Sequence, residues 1–215
     1  MNWFGQTDFD NERRRMVAEQ LSEFPPGVRE VMERVPRHVF IPEEKRALAY
    51  ADGAVSIGFG QTISQPWIVA MMTTQLNPQP SSRILEIGTG SGYQAAVLAQ
   101  LVAEVYTIEI VEPLAKRAKE TLQSLGCANV HCRTGDGSGG WPEAAPFDGI
   151  IVTCAPEAVP APLAAQLKPD GRMLIPVGEP GYQDLFVFQK HQGNLLELAR
   201  IPVRFVPMTG KAGRV

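Results

Sequence analysis

Residues 83–99, "RILEIGTGSGYQAAVLA", place a short apolar strand, a glycine turn and a helix start in immediate succession. Gly88, Gly90 and Gly92 let the backbone turn sharply and approach a ligand without Cβ interference, and the helix N-terminus that follows faces that ligand. On either side the pattern repeats. Strands are expected over Arg83 to Ile87, Glu104 to Ile108, Val130 to Thr134, Gly149 to Thr153 and Arg172 to Val177. Helices are expected over Ser91 to Leu101, Pro113 to Leu125 and Glu157 to Leu167. This alternation predicts an α/β fold, doubly wound, with a mostly parallel sheet and helices on both faces. After Gly178 the helices stop. Asp184 to Lys190 and Leu195 to Val206, separated by the turn-like "HQGN", predict two antiparallel C-terminal strands.

Upstream of Ser81 the chain is helical and punctuated. Asp10 is expected to cap a helix with Met16, Val17, Ala18 and Leu21 on its apolar side, and Pro25-Pro26-Gly27 interrupts before a second helix, Val28 to Val35. Pro36 and Pro42 bracket "RHVFI", Glu43 to Tyr50 reads as a short helix, and Arg13, Arg14 and Arg15 as a solvated face. A further helix runs to Leu76, with Pro66 in its first turn and Ser64 at or just before its cap. The stretch before it, "GFGQTIS" from Gly58 to Ser64, reads as a loop.

Composition narrows the function. A chain of 215 residues with 44% apolar residues and a net charge of −3 can bury a sizeable core and has no broad basic face, so nucleic acid is disfavoured as a partner. No apolar run approaches the roughly 18 residues of a membrane span, and Met1 to Asp10 lacks a basic segment followed by an apolar one, so a cytoplasmic protein without a membrane partner is expected. Cys127, Cys132 and Cys154 form no CxxC pair and sit with no His cluster. Reduced thiols are expected, with neither disulfide nor metal.

Charge selects the cofactor. Glu109, about 20 residues after the glycine turn and at the end of the next strand, stands where a carboxylate grips ribose hydroxyls. Glu86 stands just before the first glycine, where it would repel a pyrophosphate but attract a sulfonium and an ammonium. Asp136, in "TGDGSGGW", can accept from an adenine amino group while Gly137 lets the backbone approach the ring. Together these positions fit S-adenosylmethionine, although Glu86 could instead be a cap and Asp136 the start of an Asx turn.

The acceptor is narrowed by what is missing. The turn after the fourth strand reads "TCAPEAVP" rather than the Asn/Asp-Pro-Pro-aromatic pattern of amine methylation, and His38, His131 and His191 lie far apart with no convergent acid. A carboxylate is already ionised at neutral pH and needs no base, only donors that orient it. "GQTIS" is the segment that supplies them.

Several stretches then carry a resemblance: "VPRHVFIPE", "GFGQTISQPWIVA", "LEIGTGSGYQAAVLA", "VYTIEI", "GDGSGGW", "APFDGIIVT", "QLKPDGRMLIPVG" and "VRFVPMTG". The chain closely resembles the protein-L-isoaspartate (D-aspartate) O-methyltransferases through nearly its whole length. The resemblance implies a seven-stranded class I S-adenosylmethionine-dependent methyltransferase fold. In it, residues 1–80 form an N-terminal helical segment and acceptor loop packed on a Rossmann-like core of residues 81–215, one compact domain and a monomer. It implies methylation of the free α-carboxylate of isoaspartyl residues in damaged proteins, without a metal. Ser64 falls on the family's active-site serine, with Gln61, Thr62, Ile63, Val206 and Pro207 along the substrate. Glu86, Gly88, Gly90, Ser91, Glu109, Asp136, Gly137 and Thr209 fall on cofactor contacts. Two positions depart from the pattern: Ser56 stands where relatives often carry proline, and Cys154 where alanine is usual, which would make activity oxidation-sensitive if Cys154 lies near the cofactor. The alternatives are a related enzyme acting on another carboxylate and a non-catalytic S-adenosylmethionine-binding module.

Overall fold

The structure, a computed structural model, describes residues 8–211, so the reading of Met1 to Asp10 falls mostly outside the described residues. Its centre is a seven-stranded sheet of order β5-β4-β3-β6-β7-β8-β9. The strands are β3 (Arg83–Ile87), β4 (Glu104–Glu109), β5 (Val130–Thr134), β6 (Phe147–Val152), β7 (Leu167–Glu179), β8 (Tyr182–His191) and β9 (Asn194–Val203), and β1 (Val55–Gly58) with β2 (Gln61–Ile63) makes a separate two-stranded sheet. Pairing from β5 through β7 is parallel, and β8 and β9 add antiparallel. Parallel strands are buried on both faces, which is why β3 reads as an almost unbroken apolar run and all of Ile84 to Ile87 is buried.

Alternation along the strands divides the core in two. Ile84, Val105, Ile151 and Leu174 point to a layer that holds the buried side chains of α1 (Phe9–Gln20), α2 (Pro26–Arg34), α3 (Pro66–Leu76), α4 (Tyr93–Ala99) and α5 (Glu112–Ser124). Leu85, Ile87, Ile150, Val152 and Met173 point to the opposite layer, with Phe147 and with Leu163 of α6 (Ala161–Gln166). From β3 the chain winds outward to β4 and β5, then returns to place β6 on the other side of β3. The crevice at the carboxyl ends of β3 and β6 is therefore the topological switch point, where open α/β sheets bind ligands.

Several local expectations are corrected. Asp8, not Asp10, caps α1 and accepts from the Asn11 N–H, and Asp10 is paired to Arg13. Arg13 is not on a solvated face: its side chain is only 15% exposed, whereas Arg14, Arg15 and Ala18 are exposed. The short segments Arg37–Phe40 and Glu43–Leu48 are 3-10 turns. α6 begins at Ala161 rather than Glu157, with Pro160 at its N-cap. β9 ends at Val203, three residues early. The turn between β8 and β9 is tight: Gln192 and Gly193 both adopt positive φ, the conformation of a two-residue hairpin turn.

The largest correction concerns "GFGQTIS". It is a β-hairpin, not a loop, with Val55 opposite Ile63 and Ser56 opposite Thr62 around a tip at Phe59 and Gly60, both at positive φ. Val55, Ile57 and Ile63 are buried on one side, and the Arg117 guanidinium of α5 donates to the Ile57 carbonyl at 2.7 Å. The hairpin is thus fixed to the sheet's helical layer, over the glycine turn.

Candidate active site

Gly88 continues the backbone of β3 into the switch-point crevice, where its N–H donates to the Ile108 carbonyl at 2.9 Å. Its φ is +95°, and a Cβ there would lie 2.4 Å from Thr153 Oγ1, whose hydroxyl donates back to the Gly88 carbonyl. Both facts require glycine. Gly88→Ala is accordingly expected to cost roughly 2–4 kcal/mol, strain and overpacking combined, read as a lower urea midpoint; an unchanged midpoint would contradict this geometry.

Around this turn lies an open cleft of about 850 Å³, a volume that includes the solvent at its mouth. Of the residues singled out in the sequence, Gln61, Thr62, Ile63, Ser64, Glu86, Gly88, Gly90, Ser91, Glu109, Gly137, Val206, Pro207 and Thr209 all line it. Asp136 does not. Its carboxylate accepts from the Ser138 N–H at 2.9 Å and the Lys211 N–H at 2.8 Å, which holds it below its usual range and fastens the C-terminal segment beside Gly210. Gly137 alone reaches the cleft, and a Cβ on it would lie 2.6 Å from the Ile87 side chain.

The two remaining carboxylates are held differently. Glu109 is buried, and its oxygens accept from the N–H groups of Gly90 at 2.7 Å and Val111 at 2.9 Å, so its position is set by backbone. Glu86 is wholly buried. One oxygen accepts from the Thr107 hydroxyl at 2.5 Å while the other, Oε1, has no partner among the described residues. Burial, with a smaller contribution from the charge of Glu109, pushes the Glu86 carboxyl up to about 8. An orphaned carboxylate oxygen beside a cleft, together with glycine positions that a Cβ would fill, is the arrangement expected of a site for a cationic nucleoside cofactor.

Ser64 lies between β2 and α3. The N-cap of α3 is Gln65, which makes no capping bond, and its amide donates to Asp52 at 2.6 Å instead. The Ser64 hydroxyl has no hydrogen-bond partner among the described residues, so it is not consumed as a cap. A second groove opens on its far side, lined by Gln65, Ile68, Tyr182, Gln183, Asp184 and Arg204 among others, and it shares Thr62, Ser64, Thr153 and Val206 with the cleft. The wall they share is pinned by Ala155, whose N–H donates to the Val206 carbonyl and whose carbonyl accepts from Met208, both at 2.8 Å. Gln183 grips both the N–H and the carbonyl of Phe205.

No histidine lines either space. His38 is stacked on Phe9 and bonded to Tyr50, and His131 and His191 are exposed beside Glu104 and Asp170. Among the described residues no group of His, Cys, Asp and Glu could hold a metal ion. Cys154 does line the cleft, but burial pushes its thiol up to about 12, which leaves little thiolate to oxidise. Sequence reasoning missed Thr153 and Thr107; both stand at or near the carboxyl ends of strands that flank or follow the glycine turn, and that place is the one signal that could have marked them.

A sequence profile described as Protein-L-isoaspartate(D-aspartate) O-methyltransferase (PCMT) matches residues 13–213. The chain is 53% identical over 203 residues to "Protein-L-isoaspartate O-methyltransferase 2" of Syntrophobacter fumaroxidans, covering 93% of this chain and 82% of that one. It is 50% identical over 216 residues to "Protein-L-isoaspartate O-methyltransferase" of Pelotomaculum thermopropionicum, covering 97% and 94%. A solved structure named protein-L-isoaspartate O-methyltransferase superposes with a TM-score of 0.86 at 27% identity, over 94% of this chain and 67% of that one. A Plasmodium falciparum structure, titled as a putative enzyme of the same name in complex with S-adenosyl-L-homocysteine, shares the fold with a TM-score of 0.80 at 23% identity, over 95% and 99%.

Proposed function

This chain belongs to the protein-L-isoaspartate (D-aspartate) O-methyltransferase family, and from that membership we propose how its site performs the family's reaction. The enzyme uses S-adenosylmethionine to esterify isoaspartyl residues of damaged proteins, on the free α-carboxylate, and the ester then closes to a succinimide that hydrolyses in part to normal aspartate. When bound, the sulfonium supplies an electrophilic methyl group and a neutral thioether leaving group.

The chain's own contribution is position. Glu86 holds the cationic methionine end of the cofactor, Glu109 the ribose hydroxyls and Gly137 the adenine. Gly88, Gly90, Ser91 and Thr209 line the path between, and Asp136 holds the turn that presents Gly137 and, by its bond to Lys211, the segment that carries Thr209. On the other side Ser64 donates to the acceptor carboxylate, with Gln61, Thr62, Ile63, Val206 and Pro207 along the peptide. An in-line displacement by a group already ionised needs alignment more than proton transfer, and no histidine lines either space to supply the latter. The observation that carries this reading is the uncommitted Ser64 hydroxyl at the junction of two connected spaces, which we assign to the cofactor and to the peptide.

Residues 1–80 and 81–215 act as one unit in this scheme. The helical segment supplies the acceptor hairpin and the sheet supplies the cofactor cleft. The setting we infer is a cytoplasmic monomer acting on proteins, not on nucleic acid or membranes; the net charge of −3 supports this, and no described helix is long and apolar enough to cross a membrane.

A paired assay tests the function. With an isoaspartyl peptide and its aspartyl twin, methyl incorporation is expected for the first and only background for the second. Equal rates would point to another carboxylate acceptor, and no incorporation into either to a binding module.

A further inference from the structure

Glu86 and Thr107 are direct neighbours across the β3–β4 register, with Ile151 of β6 on the far side of Glu86 and Cys132 of β5 beyond Thr107. The Thr107 hydroxyl is fully buried and donates to Glu86 Oε2 at 2.5 Å. A hydroxyl has one proton, so with Glu86 ionised the 2.6 Å bond between Thr107 and Thr89 must run the other way, with Thr89 donating to Thr107. A directed chain, Thr89 to Thr107 to Glu86, therefore ends on one carboxylate oxygen and leaves the other without a partner.

We propose that Thr107 is a positioning residue for cofactor binding: its hydroxyl fixes the Glu86 carboxylate with Oε1 free for the cofactor's cation, and Thr89 fixes the direction of that hydroxyl. Thr107 does not touch the cleft; it is not among the residues that line it, whereas Thr89 and Glu86 are. Its effect reaches the ligand through Glu86. The electrostatic surroundings make this donor matter. Burial and the Glu109 charge both oppose ionisation of Glu86, and Thr107 is the group that favours it. Other titratable groups around this position are the Cys132 thiol on β5 and, lining the same cleft, Tyr93 from α4 and Cys154 after β6; the cations beside them, Lys119 near Cys132 and Arg37 over Tyr93, act on those groups rather than on Glu86.

The inference rests on the cofactor assignment above, and calorimetry with S-adenosylhomocysteine as the probe separates the two. The wild-type protein is expected to bind the probe, more tightly as pH rises and Glu86 ionises. Thr107→Val keeps the side-chain shape and deletes the donor. Its Kd at pH 7 is expected to rise about tenfold, the usual worth of a hydrogen bond to a charged group. The pH at which binding tightens should move upward, and kcat at saturating S-adenosylmethionine should stay within about twofold. Thr107→Ser restores the donor and should restore the wild-type profile, and Thr89→Val should shift it in the same direction as Thr107→Val but less. A merely structural role would lower stability without moving the pH profile. Wild-type and variant curves that coincide overturn the relay; a wild-type protein that binds no probe at any pH overturns the cofactor assignment and the relay together. If Thr107→Val does not fold, Thr89→Val with an unshifted profile overturns it on its own.

Discussion

Ser64→Ala is expected to lower kcat on an isoaspartyl peptide by about a hundredfold while S-adenosylhomocysteine affinity changes by less than about twofold. The asymmetry follows from where Ser64 stands. The groups proposed to recognise the cofactor are Glu86, Glu109 and the glycine turn, none of which touches the serine hydroxyl through a hydrogen bond. The acceptor has no comparable set of partners: with no histidine or metal group in the cleft, orientation of its carboxylate falls to the hairpin. Losing the Ser64 hydroxyl leaves a nucleophile of unchanged basicity that points less often along the line of displacement. Stopped-flow or steady-state rates with saturating cofactor give the measurement. Full turnover in the variant would remove Ser64 from the mechanism, and an equal loss of cofactor affinity would make its role structural.

Glu86→Gln should separate binding from stability, with opposite signs. Because the folded protein holds this carboxyl at about 8, well above the ordinary 4.5, it binds more protons than the unfolded chain between those values. The cofactor-free protein therefore loses stability as pH rises through that window, and the ionised, desolvated carboxylate is most costly above it. A glutamine carries no such cost. Near pH 5 the two proteins should melt together, and near pH 9 the variant should melt higher by roughly 10 °C, since a carboxyl raised from 4.5 to about 8 costs about 4–5 kcal/mol when ionised and each kcal/mol moves a domain of this size by about 2–4 °C. The same substitution should weaken S-adenosylhomocysteine binding by about tenfold or more, because an amide cannot answer the cofactor's cation. Parallel melting curves across this pH range would show that Glu86 is ionised at no such cost in the folded chain.

What could be read from the sequence was local. The β3 strand, the glycine turn and α4 are encoded by residues adjacent in the chain, and Glu86 and Glu109 follow from their places at strand ends. The hairpin of β1 and β2 was not legible, because Gly58, Phe59 and Gly60 look like any flexible stretch until Val55 and Ile63 are seen to pair. At Asp136 only half of the surroundings were legible: the Asx-type bond from the Ser138 N–H follows from adjacent residues, but the second donor, the Lys211 N–H, lies 75 residues further on. Thr107 was missed because its place near the carboxyl end of β4 does not show its partner, which is set by strand register. Arg13 looked solvated within a run of three arginines, yet helix packing covers one member and exposes the next two.

The uncapped start of α3 has a bearing on how the product leaves. Gln65 gives no side-chain bond to the first turn, so the N–H groups of Trp67 and Ile68 and the positive end of the helix lie open next to Ser64, beside the peptide groove. That end attracts an anion. Methylation turns the acceptor from a carboxylate into an uncharged ester, so with the acceptor placed as proposed the attraction of this helix end for it would disappear in the same step. On the proposed placement of the peptide, the enzyme would thereby discriminate against its own product by charge, each turnover weakening the hold on the peptide just modified.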